Sequence, residues 1–145
     1  MKTFIKVDRN LEGMKADLSW IYSLKTIAVV GASRDERKPS HYVPKYLKDR
    51  GYTIIPVNPS ASEIWGEKSY KSLKDIPFPV DIVLMFRPSQ EVGDFLPDII
   101  ESSPKVLWMQ LGIVNYEIKA EAEKHNIYVV MDRCMMVEHK RIVGG

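Results

Sequence analysis

The first residues with chemistry to offer are Gly31-Ala-Ser-Arg-Asp-Glu-Arg-Lys-Pro-Ser40. Gly31 and Ala32 let a backbone approach a phosphate closely, Ser33 supplies a hydroxyl, and Arg34, Arg37 and Lys38 can make charge-assisted hydrogen bonds. A helix opening near Ser40 would turn its unpaired N–H groups and positive dipole end toward the same anion. The composition also suits a plain surface turn, because Asp35 and Glu36 offset two of the three cations. Further along come four shorter clusters: Asn58-Pro59, Phe86-Arg87-Pro88, Gln110-Leu-Gly112 and Asp132-Arg133-Cys134. Arg87 is placed for an anion or for a structural salt bridge, and Phe86 can cover an adenine or pantetheine face. Asn58-Pro59 is either a rigid platform beside a base or ribose, or a turn that stops a strand. Cys134 beside Arg133 is either a thiol available for redox exchange or a buried structural cysteine.

Other chemistries fit poorly. A dinucleotide enzyme would carry a fuller G-x-G-x-x-G in the first loop and an acid near Asn58 for the ribose hydroxyl. Both are missing, so an NAD(P)-dependent oxidoreductase is the weaker alternative. One cysteine with scattered histidines gives no metal-ligand spacing and no catalytic triad. His41 is read as exposed or facing a phosphate, His125 as a structural residue in a helix's last turn, and His139 as solvated or at an interface.

These clusters share one kind of position, just after a short apolar run. Thr26 to Val30 is β-branched and apolar on both faces, the mark of a buried parallel strand. Similar runs follow at residues 53–57, 80–86, 106–109 and 127–131. Helix-compatible segments separate them at Tyr42 to Arg50, Gln90 to Glu101 and Tyr116 to His125, with a shorter one at Lys71 to Lys74. Ser40, Ser89 and Asn115 are the expected caps, and Gly51 closes the first crossover helix. Ahead of them, Leu11, Met14, Leu18, Ile21 and Tyr22 recur at helical spacing, which predicts a lead-in helix over Asn10 to Leu24. Such alternation specifies a three-layer Rossmann-like α/β fold around a five- or six-stranded, mainly parallel sheet. Ligands of such sheets lie outside the carboxyl ends of the strands, where the clusters fall.

The chain has 145 residues, enough for one core, so a single domain over 1–145 is expected: a lead-in helix at 1–24 and a nucleotide-binding core at 25–145. A net charge of +2 with interspersed signs provides no field for nucleic acid or an anionic membrane. No run approaches the roughly 20 apolar residues of a membrane span, and the N-terminus lacks a signal-peptide core, so the cytoplasm is expected. A single cysteine agrees with that compartment. Gly144-Gly145 should fray.

The ordered set of Ile27-Ala-Val-Val-Gly-Ala-Ser33, Lys38-Pro-Ser40, Val57-Asn-Pro59, Gly66 with Tyr70-Lys-Ser-Leu73, Phe86-Arg-Pro88, Trp108-Met-Gln-Leu-Gly112 and Asp132-Arg-Cys134 with Glu138-His139 resembles the CoA-binding domain family. Its members include small stand-alone proteins similar to the N-terminal domain of succinyl-CoA synthetase α subunits and of ADP-forming acyl-CoA synthetases. The resemblance implies coenzyme A or an acyl-CoA in the crevice. It puts Gly31, Ala32 and Ser33 at the phosphates and Arg34, Lys38 and Ser40 toward the 3′-phosphoadenosine end. Asn58, Pro59, Phe86 and Arg87 then follow the nucleotide, with Gln110, Gly112, Arg133 and Cys134 further along the rim. It implies non-catalytic binding, because no phosphohistidine loop or second domain is recognisable, and as companions a synthetase-type subunit or a second copy. A pantetheine arm reaching Cys134 could form a mixed disulfide there.

Overall fold

The computed structural model describes residues 17–144. Its strands are β1 (Thr26–Val30), β2 (Thr53–Val57), β3 (Glu63–Ile64), β4 (Glu67–Lys68), β5 (Ile82–Met85), β6 (Val106–Met109) and β7 (Tyr128–Val130). Four α-helices accompany them: α1 (Pro39–Asp49), α2 (Leu96–Ser102), α3 (Tyr116–Glu123) and α4 (Met135–Ile142). Five strands form one wholly parallel sheet in the order β2-β1-β5-β6-β7. The order reverses between β1 and β5, and that is where an open sheet of this kind leaves a crevice.

Alternate residues of each strand feed opposite layers, as a period of two requires. Ala28, Val30, Val83, Met85, Leu107 and Met109 pack with Ile99 of α2 and Ile118 and Ala122 of α3. Ile27, Val29, Ile82, Leu84, Val106 and Trp108 pack with Val43 and Leu47 of α1, Met135 of α4, and Leu18, Ile21 and Tyr22. Two cores on one sheet give the expected three layers. No helix among the described residues is long and apolar enough to cross a membrane.

Several local expectations change. Of the expected lead-in helix, the described residues form a 3₁₀ turn, Ser19–Ser23, with Leu18, Ile21 and Tyr22 buried as their spacing requires. Asp17 accepts from the backbone N–H and the hydroxyl of Ser19, which starts the turn there. Leu11 and Met14 lie outside the described residues, as does Gly145. Helix α1 begins three residues before the expected Tyr42, with Pro39 in its first turn. Lys38 takes the cap position, and Ser40, expected as the cap, lies inside the helix. The segment from Gln90 splits into a 3₁₀ helix, Ser89–Phe95, and α2, because Pro97 cannot donate to the preceding turn. Pro88 precedes that helix in the cap position, and the Ser89 hydroxyl instead accepts from the N–H of Val114. Lys71 to Lys74 yields only a 3₁₀ turn at Leu73–Asp75. Asn115 caps α3 as expected, accepting from the N–H of Ile118 at 3.0 Å, and Gly51 follows α1 with φ +97°. His125 lies beyond the end of α3 and is exposed.

Helix α4 and the β3–β4 hairpin are additions, and α4 corrects the reading of His139. That residue is 4% exposed, neither solvated nor at a surface. The Tyr46 hydroxyl lies 2.8 Å from its Nδ1, and the rings of Tyr22, Tyr46 and Tyr52 meet it edge-on. Burial, and then the positive field of Arg50, hold its imidazole below the usual histidine range. The unfolded chain therefore binds a proton more readily than the fold does. Stability from this group is fully present above the ordinary value of about 6.5 and is lost as the pH falls toward the depressed native value. Urea midpoints between roughly pH 6.5 and 5 should fall with acidity in the parent and vary much less in His139→Gln. Equal slopes in the two proteins would remove His139 as the cause.

Candidate functional site

The loop after β1 is built by proline chemistry as much as by glycine. Pro44, inside α1, has no N–H for the carbonyl of Ser40, and that carbonyl accepts from the N–H of Ser33 at 3.3 Å. His41 adds a second tie, its Nδ1 donating to the Ser33 carbonyl at 2.7 Å. The Ser33 hydroxyl accepts from the N–H of Asp35, and the Asp35 carboxylate accepts three hydrogen bonds of 3.0 Å from Arg37, one from its backbone N–H and two from its guanidinium. Those bonds to Arg37 keep the Asp35 carboxyl below its usual range. Arg34 and Lys38 are exposed and have no ion pair among the described residues. The loop thus neutralises one cation and leaves two.

The backbone carries a sharper signal. Ala32 is 2% exposed, yet its N–H has no acceptor among the described residues, and neither has that of Arg34. Buried backbone donors are nearly always paired, so an unpaired one at the mouth of a crevice is suited to an acceptor such as a phosphate oxygen. The Ala32 carbonyl is already used, accepting from Nδ2 of Asn58 at 2.8 Å.

Asn58 is committed on both ends of its amide. Its Oδ1 accepts from the N–H groups of Ser60 and Ala61, so it clamps the loops after β1 and β2 together. Pro59 beside it is exposed. Gly31 has φ +88°, and a Cβ there would stand 3.1 Å from Cδ of Arg87 and 3.3 Å from Cβ of Phe86. Its glycine is needed for the approach of β5's end to β1's. Phe86 is half-buried against the α1 side of the sheet, whereas Arg87 is exposed and donates to Glu91 at 2.8 and 3.0 Å. The salt-bridge reading of Arg87 is the one observed. An exposed i,i+4 pair is worth a few tenths of a kcal/mol, little enough for a bound anion to displace.

On the other side of β5 the remaining candidates form a second group. Gln110 is 4% exposed, and its Oε1 accepts from the N–H of Met135 at 3.2 Å, tying β6 to the start of α4. The N–H of Gly112, an exposed residue, donates to Oδ1 of Asp132 at 2.7 Å, and Asp132 adopts φ +61° to accept it. The carbonyl of Arg133 accepts from Nε1 of Trp108, and its guanidinium lies 3.6 Å from Glu138. Cys134 is partly exposed and precedes α4. Together with Leu111, Met131 and Val137, residues 132–134 and Glu138 line a cleft of about 360 Å³.

Reading the sequence missed His41 as the residue that shapes the loop, and Trp65, whose Nε1 donates to the His41 carbonyl at 3.2 Å. Trp65 sits at φ +57° next to Gly66, and the dipeptide Trp-Gly between two short polar segments was the available hairpin signal. Among the described residues no group of three or more His, Cys, Asp or Glu side chains could hold a metal.

The chain is 42% identical over 115 residues to an uncharacterised protein of Bacillus subtilis, YneT, covering 79% of this chain and 85% of that one. It is 30% identical over 138 residues to an ADP-forming acetate–CoA ligase of Methanocaldococcus jannaschii, covering 90% of this chain but spanning only 20% of the ligase. Among solved structures, a Thermus thermophilus protein superposes with a TM-score of 0.83 at 42% identity, covering 93% of this chain and 98% of that one. A hypothetical protein of Pyrococcus horikoshii does so with a TM-score of 0.85 at 36% identity, covering 88% and 91%. The family model for the CoA binding domain matches residues 25–140, which include every site residue described above, and the chain belongs to that family.

Proposed function

We propose that the chain binds coenzyme A, or an acyl-CoA, across the carboxyl ends of its strands, without itself transforming it. The observation that carries this reading is the N–H of buried Ala32, which has no acceptor among the described residues, in the same loop as exposed Arg34 and Lys38. A pyrophosphate oxygen takes that N–H, Arg34 and Lys38 meet the 3′-phosphate, and Phe86 and Arg87 follow the adenosine. Asn58 supports the loop and does not touch the ligand, since both ends of its amide are used. NAD lacks the 3′-phosphate that gives Arg34 and Lys38 a partner, so it binds less well. The ligase relatives, one of them an alpha subunit from Pyrococcus furiosus at 31% identity over 129 residues, support a synthetase-type companion subunit.

Titration calorimetry with coenzyme A, dephospho-CoA and NAD tests this. Coenzyme A should bind most tightly, and the double variant Arg34→Ala, Lys38→Ala should lose about a hundredfold for coenzyme A and about tenfold or less for dephospho-CoA, with the loss shrinking at high salt. Tight NAD binding with none for coenzyme A would overturn this reading.

The partial exposure of Cys134 on the cleft supports, beside non-catalytic binding, one stoichiometric thiol exchange. Its thiolate attacks coenzyme A disulfide, one sulfur–sulfur bond breaks and a mixed disulfide forms, and coenzyme A leaves as thiolate. Intact-mass spectrometry after incubation with coenzyme A disulfide should show one adduct that reductant removes and Cys134→Ser never forms. An unmodified parent protein rules the exchange out.

A further inference from the structure

The cleft after β6 and β7 has a lining that phosphates and adenosine do not explain. Leu111 is 66% exposed and Val137 is 52% exposed, and these two apolar side chains line a concavity together with half-buried Met131. The hollow, of about 360 Å³, is within the range of small-molecule sites, and these side chains give an apolar group something to pack against. The position is set by the sheet. β7 is three strands from β1, about 14 Å across the strand ends at the usual spacing. The cleft thus lies on the same carboxyl edge as the β1 loop, where an arm leaving the phosphates toward β7 would reach it.

Charge selects further. Asp132 and Glu138 both border the cleft, against Arg133 alone. Asp132 accepts from the N–H of Gly112, while Arg133 and Arg141 both lie on Glu138, so the one guanidinium in the lining is already engaged. An incoming carboxylate would compete with Glu138 for Arg133 and would stand beside the carboxylate of Asp132. We infer that this cleft, bounded by Leu111, Val137 and Met131 and edged by Asp132 and Glu138, is a subsite for the acyl group of an acyl-CoA and prefers a short, uncharged, apolar acyl chain to one ending in a carboxylate. The inference rests on the coenzyme A reading, and its test separates the two.

Butyryl-CoA and succinyl-CoA share a four-carbon acyl chain and differ in the terminal carboxylate. With the parent protein, calorimetry should show butyryl-CoA about tenfold tighter than coenzyme A, from burial of the propyl tail, and succinyl-CoA no tighter than coenzyme A. In Val137→Asp and in Leu111→Asp, both at exposed positions where a polar side chain is tolerated, the ratio of coenzyme A to butyryl-CoA dissociation constants should fall to about one. Circular dichroism identifies a variant that fails to fold, and the ratio is then read from the other. Coenzyme A binding with equal affinity for butyryl-CoA in the parent overturns the subsite and leaves the proposed function standing. A tenfold preference that survives both aspartate variants, or succinyl-CoA as the tightest ligand, also overturns it. No binding of any of the three overturns both readings.

Discussion

Gly31→Val should lower the melting temperature by roughly 10 °C and abolish measurable coenzyme A binding, the larger of the two losses being the ligand. A β-branched residue at φ +88° pays a left-handed backbone penalty of about 1–2 kcal/mol before any contact is counted. Contacts then add to it. Arg87 Cδ, at 3.1 Å from the new Cβ, can swing away by leaving Glu91, but Phe86 cannot follow. Its Cβ and carbonyl carbon lie at 3.3 and 3.4 Å, and its N–H is held by the carbonyl of Val30 at 2.9 Å. Relief must come from moving the loop, which carries the unpaired N–H of Ala32. Gly51 supplies the control, since it has φ +97° and a Cβ there would meet nothing within 4 Å. Gly51→Ala should therefore cost only the backbone part, about 1 kcal/mol, and Gly31→Ala visibly more. Equal losses from the two alanine variants, by chemical denaturation, would show that close approach to Phe86 contributes nothing.

The same residue shows how far the sequence could be read. Gly31 was legible as a special position because it ends a β-branched run, but its purpose was not. Sequence reasoning assigned the glycine to the ligand's approach, whereas its missing Cβ first accommodates Phe86 and Arg87. Strands were recoverable because a parallel strand buried on both faces leaves an uninterrupted apolar run, and all the expected sheet strands are present. Helix α4 was not recovered because two of its inward positions are Glu138 and His139, polar residues that become acceptable only with Arg133, Arg141 and Tyr46 around them. Met135, His139 and Ile142 do keep the helical spacing, so the period was there and the polarity hid it. Asn58 and Gln110 illustrate the other limit. Residue type and position placed them at the strand ends, but which partner an amide takes depends on loops whose course local sequence does not specify.

Trp108→Ala should be the most destabilising single substitution considered, at about 3–5 kcal/mol. The side chain is fully buried in β6, the largest of the fully buried side chains among the described residues, and it meets Tyr22 edge-on with ring centroids 6.1 Å apart. β6 is paired on both sides, by β5 and β7, so the surrounding core has little freedom to collapse into the void. Truncation also leaves the Arg133 carbonyl without the indole N–H at 2.8 Å. Trp108→Phe separates the two causes. It keeps much of the ring volume and removes the donor, and should cost about 1–3 kcal/mol as a mixture of lost hydrogen bond and partial cavity. Because the donor fixes the backbone at Arg133, next to Cys134 and on the wall of the acyl cleft, Trp108→Phe should also loosen the preference for butyryl-CoA while the 3′-phosphate preference, set at the β1 loop, stays as it is. Urea denaturation and ligand titration on the same samples give both numbers. A phenylalanine variant as unstable as the alanine one would mean that the hydrogen bond, not the packing, dominates at this position.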